Sequence, residues 1–343
     1  MRKAPRKIAV MGAGSWGTTF AKVLADSGAG SGTEVRLWAR RAEAAAEINE
    51  RHTNTRYLGG TVLPENICAS TDFAAVLAGA DMVVLAVPAQ TVREQLRSFK
   101  AAMPAGAVVV SLMKGLERGT DARMSEIIRE ELDWPQDAIA VVSGPNLALE
   151  IAREEPTASV VACTDQETAT WIAEACTPEY FRPYTNTDLV GVEIGGIVKN
   201  VIALAVGICD GRGMGDNTKA SVITRGLAET TRLAVALGGR LETMAGLAGL
   251  GDLVATCSSS LSRNNTAGRL LGQGLSLTEV NERMTQTAEG IKSGQAVLDL
   301  AHGHGVEMPI TEAVVMVLEG TLSVDAMAAR LLGRQLKSEG ELA

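Results

Sequence analysis

Lys7-Ile8-Ala9-Val10-Met11-Gly12-Ala13-Gly14-Ser15-Trp16-Gly17 decides the fold of this chain. Lys7–Met11 has the short apolar character of a strand, and Trp16–Ser27 reads as a helix. In a chain with 36 glycines, a Gly-x-Gly-x-x-Gly run alone is weak, because any glycine-rich turn can produce it. Its place directly after a strand and at the opening of a helix gives it meaning. There Gly12 permits the tight turn, Gly14 lets a pyrophosphate approach the backbone, and Gly17 lets the helix pack closely on the strand. The helix N-terminus offers unpaired N–H groups and a positive dipole end to phosphate. Gly12, Gly14, Ser15, Trp16 and Gly17 are therefore expected to contact a dinucleotide.

Working outward, β-like runs follow at Glu34–Ala39, Met82–Val87, Ala107–Leu112, Ile139–Ser143 and Thr157–Cys163. Several are rich in Val, Ile and Ala without strict alternation, as in parallel strands covered on both faces. Helical stretches lie between them at Ala42–Arg51, Gln90–Met103, Ala122–Glu131, Leu147–Ala152 and Gln166–Ala175. This β-α-β-α rhythm implies a doubly wound sheet. It stops near residue 190. Glu193–Cys209, Ala220–Leu237, Leu241–Leu247, Asn264–Leu271, Ile291–His302 and Ile310–Leu318 all read as helices, separated by loops rich in Gly, Ser and Asn. The expected fold is α/β: an N-terminal Rossmann-type doubly wound sheet (1–190), followed by an all-α C-terminal domain (191–343). The length of 343 residues suits two domains at roughly 150 residues each. The polar tail Leu336–Ala343 is expected to fray.

A formal net charge of −8 argues against a general nucleic-acid or anionic-membrane binder, though a local cationic pocket for a small anion remains open. The five cysteines are scattered and form no CxxC pair, as free thiols in a reducing cytosol do. His302 and His304 have no Cys or acidic cluster beside them, and no metal site is expected. Met1–Met11 resembles a basic region before an apolar run, but that run soon breaks into Gly-Ala-Gly-Ser. No uncharged stretch of bilayer-spanning length occurs elsewhere. The expectation is a soluble cytoplasmic protein without membrane insertion.

The second strand runs into Arg40-Arg41, where NAD-selective sites usually carry a carboxylate for the ribose 2′-hydroxyl. A guanidinium suits a 2′-phosphate, so NADP is favoured and NAD stays open; a solvated basic helix start is the plainer alternative. Lys114-Gly115 and Ser143-Gly144-Pro145-Asn146 follow strand ends, where open α/β sheets bind ligands. An ordinary surface lysine and a helix cap at Asn146 are equally open there. Gly195–Cys209 is a helix apolar almost all round, interrupted by Lys199 and Asn200. A buried lysine there would have its pKa lowered toward that of a general base; a snorkelling stem is the bland alternative. Asp252 could orient Lys199 or accept from a substrate hydroxyl. In the same Gly/Ser-rich loop, Arg263 could fork onto a phosphate with Asn264 as a neutral donor, and Ser262 could instead cap the following helix.

With these segments in hand, the chain resembles the bacterial-type NAD(P)-dependent glycerol-3-phosphate dehydrogenases over nearly its whole length. The resemblance rests on Gly12–Gly17, Lys114-Gly115, Ser143-Gly144-Pro145, Gly195-Gly196-Ile197-Val198-Lys199-Asn200, the stretches Gly215–Ala220 and Thr224–Glu229, Gly249-Leu250-Gly251-Asp252, Ser262-Arg263-Asn264 and Glu289-Gly290. It implies that Lys199 is the proton acceptor. It implies substrate contacts from Lys114, Gly144, Asp252, Ser262, Arg263 and Asn264, and cofactor contacts from Ser15, Trp16, Arg40, Lys114, Ala148, Arg263 and Glu289. Asn146, also counted among the substrate-site residues, stands where many members carry Ser or Thr. Thr18-Thr19-Phe20 is bulkier than the family's usual small residues, a difference read as one of packing only. The implied reaction is hydride transfer between NAD(P)H and dihydroxyacetone phosphate, giving glycerol 3-phosphate for glycerophospholipid synthesis. A β-hydroxyacid dehydrogenase of the same plan and a non-catalytic dinucleotide sensor are the alternatives. Oligomeric state stays open, a homodimer included.

Overall fold

A computed structural model describes residues 2–284 and 288–332. The chain forms two compact units, one of residues 1–113 with 122–189, the other of 114–121 with the chain from 190 onward. A single cut near residue 190 therefore misses one feature: the short segment 114–121, which carries Lys114, belongs to the second unit. The expected fraying of Leu336–Ala343 lies outside the described residues.

The first unit is built on eight strands: β1 (Lys7–Met11), β2 (Glu34–Trp38), β3 (Ile67–Ser70), β4 (Met82–Leu85), β5 (Val108–Ser111), β6 (Ile139–Ser143), β7 (Thr157–Cys163) and β8 (Phe181–Asn186). They lie in the order β3-β2-β1-β4-β5-β6-β7-β8. Strands β1 to β6 are all parallel, β7 runs antiparallel to β6, and β8 is parallel to β7. Successive residues of the central strands feed two different cores. Ile8, Val10, Val84 and Val110 pack with Phe20 and Leu24 on one face. Ala9, Met11, Val83, Leu85 and Val109 pack with Leu96, Phe99 and Ile127 on the other. With both faces covered by helices, β4, β5 and β6 are buried at every residue, which is why their sequences show no alternation. The strand order reverses between β1 and β4, and in open sheets of this kind ligands bind outside the strand ends at that point.

The second unit is helical among its described residues and packs around the helix Leu189–Gly211. By length and composition this helix could cross a membrane, but 89% of its apolar window is buried inside the protein. It is a core helix. Its neighbour, the helix Arg263–Gly272, crosses it at backbone contact. A Cβ added to Gly268 would sit 2.2 Å from the Leu204 carbonyl oxygen, and one added to Gly207 would sit 2.2 Å from that of Asn265. Only hydrogen fits at this crossing, and overpacking of this kind typically costs about 1–3 kcal/mol. The close approach sets Asn200 on one helix against Asn264 on the other. The segment expected to be a loop between residues 249 and 264 is instead a π-turn, Leu247–Gly251, followed by a helix, Asp252–Ser258.

Candidate active site

In the first unit, the turn after β1 has the form the glycine pattern requires. Gly12 has φ of 130°, and a Cβ there would lie 2.4 Å from the Ala86 carbonyl oxygen at the end of β4. A Cβ on Gly17 would lie 2.0 Å from the Gly12 oxygen. Gly14, by contrast, faces open space and caps the helix Ser15–Ser27 without any side-chain cap bond. The first-turn N–H groups therefore face an open cradle. Trp16 Nε1 is buried with no partner, and both amide atoms of Asn146 are buried and unpartnered as well. Buried polar groups rarely stay unsatisfied, so these are places where a polar ligand completes the structure. Arg40 and Arg41 lie exposed just past β2. These observations fit a dinucleotide.

Gly144 follows β6 with φ of 139°, and Ala148 opens the short helix Ala148–Ala152. Asn146 does not cap that helix: Leu147 occupies the cap position and makes no side-chain bond.

In the second unit, two helices and the non-helical segment that carries Lys114 assemble a polar cluster. Asp252 is only 1% exposed and binds two lysines. Its Oδ1 accepts from Lys199 Nζ at 2.6 Å, and its Oδ2 accepts from Lys114 Nζ at 2.6 Å. Lys199 Nζ also donates to Thr256 Oγ1 at 2.6 Å. Thr256 stands one helical turn beyond Asp252, so a single helix supplies both partners. The π-turn before it lets the backbone of Ala248 press on Gly195: a Cβ there would lie 2.5 Å from the Ala248 oxygen. That contact docks the Asp252 helix against the Lys199 helix. Burial pushes the Lys114 amine down to about 8, against the pull of Asp252 and with the Lys199 charge adding to the depression.

A second network lies beside this one. Asn264 Nδ2 donates to Asn200 Oδ1 at 2.9 Å, and Asn264 Oδ1 accepts from the Gly290 N–H at 2.9 Å. Its carbonyl and one amide hydrogen are thus used to join three helices, and the donor role expected of it would fall to the other amide hydrogen. Ser262 accepts from the Asn265 N–H, so it does cap the helix. Arg263 is the first residue of that helix. Burial lowers its pKa, and the charge of Glu289 opposes the shift. Glu289 Oε2 is buried without a hydrogen-bond partner, and burial raises its carboxyl pKa.

The structure gathers Lys114, Lys199, Asp252, Asn264, Arg263 and Glu289 in the second unit. It leaves the glycine turn, Arg40, Arg41, Gly144, Asn146 and Ala148 in the first. Thr256 was missed; the only sequence signal was its spacing from Asp252, inside a stretch that reads as a serine-rich loop.

A doubly wound sheet with this glycine turn at its switch point is the architecture of dehydrogenases that use a nicotinamide dinucleotide. The chain belongs to the NAD-dependent glycerol-3-phosphate dehydrogenase family, whose N-terminal part matches residues 7–169 and whose C-terminal part matches residues 188–329. It is 57% identical over 334 residues to a glycerol-3-phosphate dehydrogenase (NAD(P)+) of Thermobifida fusca, covering 97% of this chain and 98% of that one. A protein of the same name from Streptomyces griseus is 56% identical over 335 residues, with 98% of each chain covered. Among solved structures, glycerol-3-phosphate dehydrogenase from Coxiella burnetii superposes with a TM-score of 0.90 at 38% identity, covering 96% of this chain and 99% of that one.

Proposed function

We propose that this chain interconverts dihydroxyacetone phosphate and glycerol 3-phosphate with NADP(H) or NAD(H), and that Lys199 moves the proton. The observation that carries the proton role is the Lys199–Asp252–Thr256 arrangement inside an otherwise apolar helix. An ammonium has three N–H donors. Asp252 and Thr256 take two and fix the direction of the third, which remains for a substrate oxygen. When bound, NAD(P)H would supply the hydride for reduction, and NAD(P)+ would take one up in oxidation. In reduction the Lys199 ammonium gives its proton to the C2 oxygen; in oxidation the amine removes the C2 hydroxyl proton. Asp252 orients the amine and balances one of the two lysine charges, so the cluster keeps a net positive charge suited to a phosphorylated substrate.

Arg263 holds the substrate phosphate from the start of its helix, and Lys114 adds charge to the same anion. Ser262 and Asn264 set the geometry of that helix start. The glycine turn with Ser15 and Trp16 cradles the pyrophosphate. Asn146, Ala148 and Glu289 offer polar contacts to the bound molecules. In this proposal the activity belongs to the cytoplasm, and its product feeds glycerophospholipid synthesis.

The purified protein should oxidise NAD(P)H only when dihydroxyacetone phosphate is added, with unphosphorylated dihydroxyacetone a poor substitute. Turnover of a β-hydroxyacid and none of the triose phosphate would overturn the proposal.

Cofactor choice is tested at Arg40. Only NADPH carries a 2′-phosphate, so Arg40→Ala should raise KM for NADPH more than for NADH. Equal changes would move that role elsewhere.

Lys114 predicts a pH dependence. An amine held down to about 8 is charged below that pH and neutral above it. The limiting kcat/KM reports the free enzyme, so kcat/KM for dihydroxyacetone phosphate should decline as pH rises past about 8. Lys114→Arg keeps its charge and should remove that limb of the profile. An unchanged limb in the variant would assign it to another group.

A further inference from the structure

The polar side chains behind the glycine turn are not explained by packing alone. Asn54 is 1% exposed, and its Nδ2 donates twice: to the Ala13 carbonyl oxygen at 3.1 Å and to Thr18 Oγ1 at 2.9 Å. Thr18 is itself fully buried, and its N–H closes the first helical turn onto the Gly14 carbonyl at 2.9 Å. The next residue, Thr19, donates from its Oγ1 to the Ala148 carbonyl at 3.2 Å. Thr18 and Thr19, whose size seemed to matter only for packing, are thus hydrogen-bonding members of a brace behind the turn.

Asn54 is itself held firmly. Its main-chain carbonyl accepts from Leu58 N–H at 2.9 Å and from Tyr57 N–H at 3.0 Å, opening the short helix Thr55–Leu58. Next to it, the Glu47 carboxylate takes the Thr55 N–H at 2.7 Å as well as the Thr55 and Thr53 hydroxyls. These bonds hold the Glu47 carboxyl below its usual range.

We infer that Asn54 is a positioning residue for the pyrophosphate turn, acting through the Ala13–Gly14 peptide. A trans peptide is planar, with its C=O and N–H pointing in opposite directions. Tying the Ala13 oxygen to Asn54 therefore turns the Gly14 N–H to the side away from Asn54. Of the three glycines in the turn, Gly14 is the one whose added Cβ would meet nothing within 4 Å, leaving room there for a phosphate oxygen. The second bond, to Thr18, fixes the same amide against the first turn of the helix, so turn and helix start keep one relative orientation. Without Asn54 the peptide is free to rotate, and bound pyrophosphate must then order it, at a cost in affinity.

This inference rests on the proposed dinucleotide role of the turn, and the test separates the two. Binding of NADPH and of ADP-ribose, which keeps the pyrophosphate but lacks nicotinamide, is measured by titration on the full chain. The wild type should bind both; failure to do so would strike the proposed function. Asn54→Leu, of similar size but with no donor, should raise both Kd values about tenfold, the order expected for loss of a supporting contact. With saturating NADPH, kcat and the KM for dihydroxyacetone phosphate should stay within about twofold, because the supporting shell acts on cofactor affinity. A folded Asn54→Leu protein with a lower Tm and unchanged Kd values would make Asn54 merely structural and overturn the inference. Should that variant not fold, Thr18→Val decides. It removes the hydroxyl acceptor at constant shape and should raise both Kd values about threefold, a smaller share of the same supporting effect, with Thr18→Ser restoring them. Wild-type affinities in Thr18→Val would overturn the inference as well.

Discussion

Lys199→Ala should lower kcat by about 10²-fold or more, the usual loss when a general acid–base is removed. NAD(P)H affinity should change little, because the role proposed for Lys199 is at the C2 oxygen of the substrate. The substitution also leaves Asp252 with a single lysine partner. A buried carboxylate that loses one of two ion-pair donors is destabilised, so some fall in Tm is expected beside the kinetic loss. Lys199→Arg keeps the charge and can restore the pairing with Asp252. A guanidinium does not give up its proton in this pH range, so the variant should regain stability and remain nearly inactive. A near-normal kcat in Lys199→Ala would show that the lysine serves only the fold.

Arg263→Ala should raise KM for dihydroxyacetone phosphate steeply. Truncating one partner of a desolvated charge pair commonly costs about 2–5 kcal/mol, roughly 30-fold to several thousand-fold. Arg263 is exposed in the structure, so the contact enters that regime only when bound substrate covers the guanidinium. kcat should fall too, since binding energy at the phosphate helps orient C2. Arg263→Lys should recover only part of the loss, keeping the charge without the fork. Dihydroxyacetone is the control: if Arg263 grips the phosphate, its removal hardly changes the poor rate with that compound. Arg263 is also expected at the cofactor, so NADPH binding is measured in parallel. Equal proportional losses on both substrates with intact cofactor binding would rule out the anchor.

Much of this was legible in the residues, for reasons that also explain what was not. β4, β5 and β6 were readable because burial on both faces leaves uniform Val-rich runs. β3, only Ile67-Cys68-Ala69-Ser70, and β8, which holds Arg182 and Pro183, lie at the two edges of the sheet. Edge strands are half exposed and tolerate proline, so their composition does not mark them. The reversed direction of β7 left no trace, because a fully covered strand reads alike both ways. Lys199 stood out as a charge inside an apolar helix. Thr256 did not, since the Cys257-Ser258-Ser259-Ser260 that follows it favours a loop, and the Asp252–Ser258 helix is set by docking against the long helix. The bonds of Asn264 to Asn200 and Gly290 were equally hidden, because they depend on a tight helix crossing between distant parts of the chain.

The central claim is that the Lys199 amine moves the proton, and chemical rescue tests it most directly. Lys199→Ala leaves a space beside Asp252 and Thr256 that a small primary amine can enter. Rates of dihydroxyacetone phosphate reduction by the variant are measured with saturating NADPH in a series of alkylamines of similar size and graded pKa. The account predicts that added amine restores part of the lost activity, that the rescued rate rises with amine concentration, and that it varies with amine pKa as expected for proton transfer. A full loss of activity in the variant that no amine relieves, while methylamine at the same concentrations leaves the wild type unaffected and the variant still binds NADPH and substrate, would contradict it.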